Sequence, residues 1–180
     1  MKKIILTAIS CMLLALTSCS EDTTTFSDTQ DSTNGISGNA HRSGLLNGVI
    51  GEVINGEMVV TADKAVLLKD FEEMLYAEGI STTLRTIEIV KKVAENDTSD
   101  SAFMLVASDK DGLSIGLWLT LNNNMFSRDR DLGTGDGTGT VCRGCATGCN
   151  LSYLNIDGKK VAYCNENGCV YNCTKSEVKE

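Results

Sequence analysis

Residues 102–121 read AFMLVASDKDGLSIGLWLTL, and the run from Leu113 onward places Leu113, Ile115, Leu117, Leu119 and Leu121 at alternating positions. Period-two spacing puts these side chains on one face of a strand, and that face is apolar enough to require burial. The run before it, residues 102–108, is also apolar. Asp109-Lys110-Asp111-Gly112 lies between the two and has turn composition. The segment therefore predicts an antiparallel hairpin with one strongly buried side. Trp118, the only tryptophan in the chain, falls on the opposite face of the second strand. It is either covered by another part of the fold or presented to a ligand.

Upstream, residues 49–54 and 57–61 flank Asn55-Gly56. Two such residues between apolar runs mark a hairpin, because both tolerate φ > 0. Residues 63–78 carry Leu67, Leu68, Phe71, Met74 and Leu75, a stripe of helical period, and Gly79 supplies a stop. Residues 82–93 hold Ile87, Ile89 and Val93 and end at Asn96-Asp97-Thr98; β-branched residues favour a strand there. The order β-β-α-β-β-β predicts an α+β fold, a small antiparallel sheet packed by one helix, over residues 45–126.

Downstream, residues 127–141 include Gly133-Thr134-Gly135-Asp136-Gly137-Thr138-Gly139, which reads as a flexible Gly-rich linker. Residues 142–180 then hold Cys142, Cys145, Cys149, Cys164, Cys169 and Cys173. Six cysteines in so short a segment of an exported protein predict a small cysteine-rich module stapled by three disulfides. Asp157-Gly158 between residues 151–156 and 159–163 predicts a hairpin whose facing residue numbers sum to 315. Cys149 then faces Glu166 and Cys164 faces Leu151, which disfavours a Cys149–Cys164 bridge. The remaining connectivities stay open among the 15 that six cysteines allow.

Export is read from the other end. Lys2 and Lys3 precede an apolar run, residues 4–16, that is shorter than the roughly 20 residues of a membrane-spanning helix. The run closes on Leu16-Thr17-Ser18-Cys19, which resembles the lipobox of bacterial lipoproteins. That resemblance implies cleavage of a signal peptide, residues 1–18, and lipidation of Cys19. Buried acyl chains contribute about 0.8 kcal/mol per CH₂, and stable anchoring needs more than one chain. Ser20-Glu21-Asp22 resembles the acidic tether of surface-exposed lipoproteins in a large group of Gram-negative bacteria. Asp22-Thr23-Thr24 and Asp100-Ser101-Ala102 resemble O-glycosylation acceptors of the same group. Residues 19–44 are rich in Ser, Thr, Asp, Asn and Gly and predict a disordered tether, too poor in apolar surface to offset the entropy of ordering.

Loss of Lys2 and Lys3 leaves 14 basic against 24 acidic residues, a formal charge of −10. Nucleic-acid binding needs basic clusters that release counterions from phosphate, and the sequence has none. Proline is absent, so Gly, Asn and Asp must punctuate the loops.

Several motifs imitate catalytic sites in letters only. Gly112-Leu113-Ser114-Ile115-Gly116 matches a nucleophile elbow, yet a strand follows Ser114 and the single histidine, His41, lies upstream in the tether. Counting a calcium loop from Asp129, through Asp131 and Asp136, gives Thr134 and Thr140 where Gly and Glu are required. The glycine run lacks the Lys-Ser/Thr pair of a phosphate loop. The terminal cysteines admit a chemical alternative. Cys142, Cys145, Cys164 and Cys169 have spacings that suit a zinc site, and Cys142-Arg143-Gly144-Cys145 is a C-x-x-C whose arginine would lower a thiol pKa. The spacing matches no common iron–sulfur pattern.

The expectation is a lipid-anchored envelope or surface protein, attached to the outer membrane through Cys19. It binds an extracellular or periplasmic partner without catalysis and carries no cofactor beyond the lipid. The alternative is an envelope thiol-redox or zinc protein that uses the terminal cysteines.

Overall fold

Three hairpin turns set the register of most of the chain. Asn55 and Gly56 adopt φ of 53° and 85°, Asn123 and Asn124 50° and 64°, and Asp157 and Gly158 52° and 79°. Consecutive left-handed residues match the twist of the strands they join, so each pair closes a two-residue turn. The first joins β1 (Val49–Ile54) to β2 (Glu57–Val60), with Ile54 opposite Glu57. The computed structural model describes residues 46, 48–132, 137–169 and 172–179. The predicted signal peptide, Cys19, the tether and its His41, and Asp136 lie outside them.

Helix α1 (Lys64–Ala77) follows β2. Asp63 caps it by accepting hydrogen bonds from the backbone N–H groups of Ala65 and Val66 at 2.9 and 3.3 Å, satisfying two donors that have no partner within the helix. At the other end Gly79 turns left-handed, φ 77°, and the N–H of Ile80 reaches back to the Leu75 carbonyl at 2.9 Å. Leu67, Phe71, Met74 and Leu75, spaced i, i+4, i+7 and i+8, are the buried helical residues.

Strands β3 (Thr86–Ala94), β4 (Asp97–Ser108), β5 (Leu113–Asn122) and β6 (Met125–Arg128) continue as an antiparallel meander. Strand β5 organises the sheet. One edge pairs with β4 over Leu113's neighbour Ser114 to Leu119. The other edge is shared: β7 (Gly139–Arg143) takes residues 113–116 and β6 takes residues 119–122. Strand β6 passes the sheet on to β1 and β2, and β10 (Thr174–Val178) pairs with β7.

The expected α+β arrangement is therefore corrected. The protein is mostly β, and its main sheet is antiparallel and nearly closed into a barrel. The physical reason lies in β6. By joining β5 to β1, this four-residue strand makes the sheet curl round its own core instead of leaving one face for a helix to cover. Leu113, Ile115, Leu117 and Leu119 line that core with Ile50, Ile87, Ile89, Phe126 and Val141. The helix contributes side chains to this cluster and is not a separate packing layer. The fold correction also reaches the C-terminal segment. Its strands β7 and β10 belong to the main sheet, and Val178 joins the same core.

Among the described residues only β8 (Asn150–Ile156) and β9 (Lys159–Asn165) form a sheet of their own, with Ile156 opposite Lys159 and Leu151 opposite Cys164. This is the register that the sequence predicts. The hairpin lies over the outward face of β4, β5 and β7, where a second cluster forms from Met104, Trp118, Cys142, Leu151, Tyr153 and Ala162. Strand β5 is thus buried on both faces. Gly116 fits this double burial, since a Cβ there would lie 2.1 Å from the Leu151 Cδ2 atom.

Candidate functional site

The six terminal cysteines pair in order: first with fourth, second with fifth, third with sixth. Cys142–Cys164, Cys145–Cys169 and Cys149–Cys173 have Cα separations of 5.5, 5.6 and 5.1 Å, within the range a disulfide spans. The disfavoured Cys149–Cys164 bridge is not formed; the Cys149 N–H donates instead to the Glu166 carbonyl at 3.2 Å. Cys142 sits on the outward face of β7 and Cys164 on the inward face of β9, so their bridge rivets the hairpin to the sheet. The other two tie the loops beyond β7 to those beyond β9. Each closes a loop spanning 22 to 24 residues.

The four cysteines of the zinc alternative form two of these bridges, and Cys145 of the C-x-x-C is joined to Cys169 instead of Cys142. A different trio converges. The Sγ atoms of Cys149, Cys164 and Cys173 lie within 4.8 Å of one another. Bridged sulfurs offer no thiolate, so this trio could ligate a metal only after reduction, and could exchange only with a thiolate supplied from elsewhere.

The imitated motifs have structural uses. Ser114 stands within β5 opposite Ser108 and Cys142. The Asp129 carboxylate accepts the backbone N–H groups of Asp131 and Leu132, each at 3.0 Å, which closes its own turn.

A polar clasp from the β3–β4 turn holds the hairpin along its length. Asn96 in the β3–β4 turn imitates a strand: its Nδ2 donates to the Asn155 carbonyl at 2.6 Å and its Oδ1 accepts the Asn155 N–H at 2.8 Å. Glu95 accepts from Ser152 Oγ at 2.9 Å and Asn165 Nδ2 at 3.0 Å. These bonds, that from Asn165 foremost, hold the Glu95 carboxyl below its ordinary range. Beneath the clasp Trp118 meets Tyr153 edge to face, centroids 5.4 Å apart, and is only 4% exposed. The tryptophan left open by the sequence is thus covered by the hairpin.

Burial first, and then the neighbouring Asp100 carboxylate, push the Tyr153 phenol up to about 12 from an ordinary 10.0. A pKa raised on folding contributes stability that is complete below the unfolded value and is lost as the pH rises through the folded one. Alkaline unfolding should therefore set in between pH 10 and about 12. Fluorescence of Trp118 against pH checks this: Tyr153→Phe should move the onset upward, and an unchanged onset would clear the phenol of the role.

Where the hairpin leaves the sheet, a cleft of about 80 Å³ opens. Trp118 of β5 and Thr140 of β7 come from the sheet, Lys175 and Glu177 from β10, and Lys159 and Lys160 from β9. Register explains the grouping: Thr140 pairs with Glu177, and Cys142 with Lys175, so these alternate residues share the outward face. Lys160 donates to the Asp100 carboxylate and stands 5.1 Å from the Tyr153 ring centroid. Lys175 pairs with Glu177 at 3.1 Å. Among the described residues no carboxylate pairs with Lys159. Sequence reasoning passes over this group because Lys159 and Lys175 are linked by no periodicity and meet only when β10 adds to β7.

A second concavity, of about 290 Å³, runs along α1 beside Tyr76, Ile80 and Thr82. Its charges oppose one another, as in the Lys69–Glu73 pair at 3.9 Å, and it is open to solvent.

Comparison of the chain with protein families, curated proteins and solved structures finds no match in any of the three.

Proposed function

We propose that this chain is a lipid-anchored exported protein of a bacterial cell envelope, facing outward from the outer membrane, that binds a partner and does not catalyse a reaction. The observation that carries this reading is the pairing of all six terminal cysteines. Three bridges use up the thiols as cross-links, which suits an oxidising compartment outside the cytoplasm. The lipobox resemblance at residues 16–19 supplies the anchor at Cys19, and the polar stretch of residues 19–44 supplies reach. The cleft beside the riveted hairpin supplies a binding face, and the serine of the elbow-like motif lies paired within a strand without a histidine beside it in the sequence.

Metabolic labelling with palmitate tests the anchor. The native chain should incorporate label and Cys19→Ser should incorporate none; an unlabelled native chain, or a labelled variant, contradicts the proposal.

A second reading, an envelope thiol-redox or zinc protein, draws on the convergence of Cys149, Cys164 and Cys173. Zinc binding requires these sulfurs to be reduced in the working protein, and redox activity requires them to cycle between thiol and disulfide.

A further inference from the structure

We infer that the cleft between β9 and the β7–β10 edge binds a compact anionic group, a carboxylate or a sulfate carried by the partner. The inference rests on the binding-protein reading above and names the chemistry of its site.

Charge carries the first step. The chain has a formal charge of −8, yet this cleft gathers three lysines, Lys159, Lys160 and Lys175, against the single carboxylate of Glu177. A basic focus on an acidic body attracts a small anion locally, whereas a long polyanion would be repelled by the surrounding surface. Such a contrast selects a group of one or two charges.

The state of each lysine carries the second step. Lys160 is engaged outside the cleft by Asp100, and that side chain pair is only 18% and 20% exposed. Lys175 is shared with Glu177. Lys159 has no carboxylate partner among the described residues and is free to meet a ligand. An anion placed between Lys159 and Lys175 completes the charge balance that the described residues leave open.

The surroundings carry the third step. Trp118 is 4% exposed, and Thr140 is 7% exposed with Ala162 across from it at 6%. Low-dielectric walls strengthen an ion pair relative to the same pair in open water. The Thr140 hydroxyl adds a neutral donor of the kind that orients a carboxylate or sulfate oxygen. The volume of about 80 Å³ suits a head group and not a whole sugar ring or peptide segment. Cys142 and Cys164 lie two residues from Thr140 and Ala162, so the bridge that rivets the hairpin also fixes the two walls.

Because Trp118 is the only tryptophan and lines the cleft, its fluorescence reports occupancy. The full chain, bridges intact and held in detergent, is titrated with sodium sulfate, sodium acetate and sodium glucuronate. Glucose serves as the uncharged counterpart, and sodium chloride holds ionic strength constant. A saturable change is expected with sulfate or with the two carboxylates, which distinguishes the two sources of charge, and none with glucose. Replacing both lysines, Lys159→Gln with Lys175→Gln, should weaken the response about tenfold or more, and Lys159→Arg with Lys175→Arg should retain it. An absent response, an equal response to glucose, or a response untouched by the glutamine pair would overturn the assignment. Alkylation of the same sample separates the two levels. A fully bridged chain that gives no anion response refutes the cleft alone, whereas free thiols refute the binding-protein reading whatever the fluorescence shows.

Discussion

Replacing Cys142 and Cys164 together with alanine should lower stability by about 2–5 kcal/mol, the usual cost of losing a native bridge in a small exported domain. The separation of 22 residues puts the loop-closure contribution near the middle of that range, at about 3 kcal/mol. What makes this bridge the most consequential of the three is its position. It is the cross-link between β7 in the main sheet and β9 in the covering hairpin, with Cys142 in the second apolar cluster and Cys164 packed against it. Without it the hairpin keeps the packing of Tyr153 and Leu151, the bonds of Asn96 and Glu95, and the two bridges Cys145–Cys169 and Cys149–Cys173 that tie its flanking loops. Partial opening would bring water to Trp118. Urea unfolding followed by tryptophan emission should therefore show a lower midpoint and red-shifted emission before the main transition. A loss below about 1 kcal/mol, with emission unmoved, would mean that the rivet is redundant.

Phe126→Ala should cost about 3–5 kcal/mol, as for other fully buried aromatics. The side chain is 0% exposed and meets Phe103 edge to face with centroids 5.1 Å apart; such pairs add about 0.5–1.5 kcal/mol beyond the area they bury. Strand β6 is only four residues long, and among the described residues it alone connects β5 to β1. The loss should therefore be uneven. Amide hydrogen exchange should accelerate most in β1 and β2, which hang from β6, and least in the β4–β5 pair. Uniform acceleration, or a loss under about 1 kcal/mol, would contradict the role given to β6 in curling the sheet.

The parts of this fold that could be read in advance are those decided by neighbours in sequence. Asn55-Gly56 and Asp157-Gly158 announce left-handed turns, and the second fixes a register in which Leu151 faces Cys164. The stripe of Leu67, Leu68, Phe71, Met74 and Leu75 and the stop at Gly79 mark the helix and its C-terminal end. The alternation from Leu113 to Leu119 identifies a core-facing edge-to-edge run that the structure places in the main cluster. What could not be read depends on partners distant in sequence. Gly139 and Thr140 have the composition of a linker and become a strand because β5 pairs with Thr140 and β10 pairs with both. Thr174 to Val178 is polar and mostly exposed, with Val178 alone reaching the core. Met125 to Arg128 is too short to signal a strand, yet it turns a sheet with one open face into a nearly closed barrel. The cysteine spacing announced cross-links without naming the pairs, since in-order pairing follows from the stacking of the hairpin on β7 and not from spacing. The cleft was least legible of all. Its lysines are unremarked in sequence and converge through two strand pairings and one layer contact.

Intact mass spectrometry of the chain extracted from membranes, with alkylation before and after reduction and with zinc measured on the same material, decides between an anchored, cross-linked binding protein and a thiol or zinc protein. The prediction is a chain that begins at Cys19 and bears acyl mass there, whose other six cysteines take up alkylating agent only after reduction, with no stoichiometric zinc. A chain that keeps residues 1–18, thiols that alkylate without reduction, or one zinc per chain would contradict it.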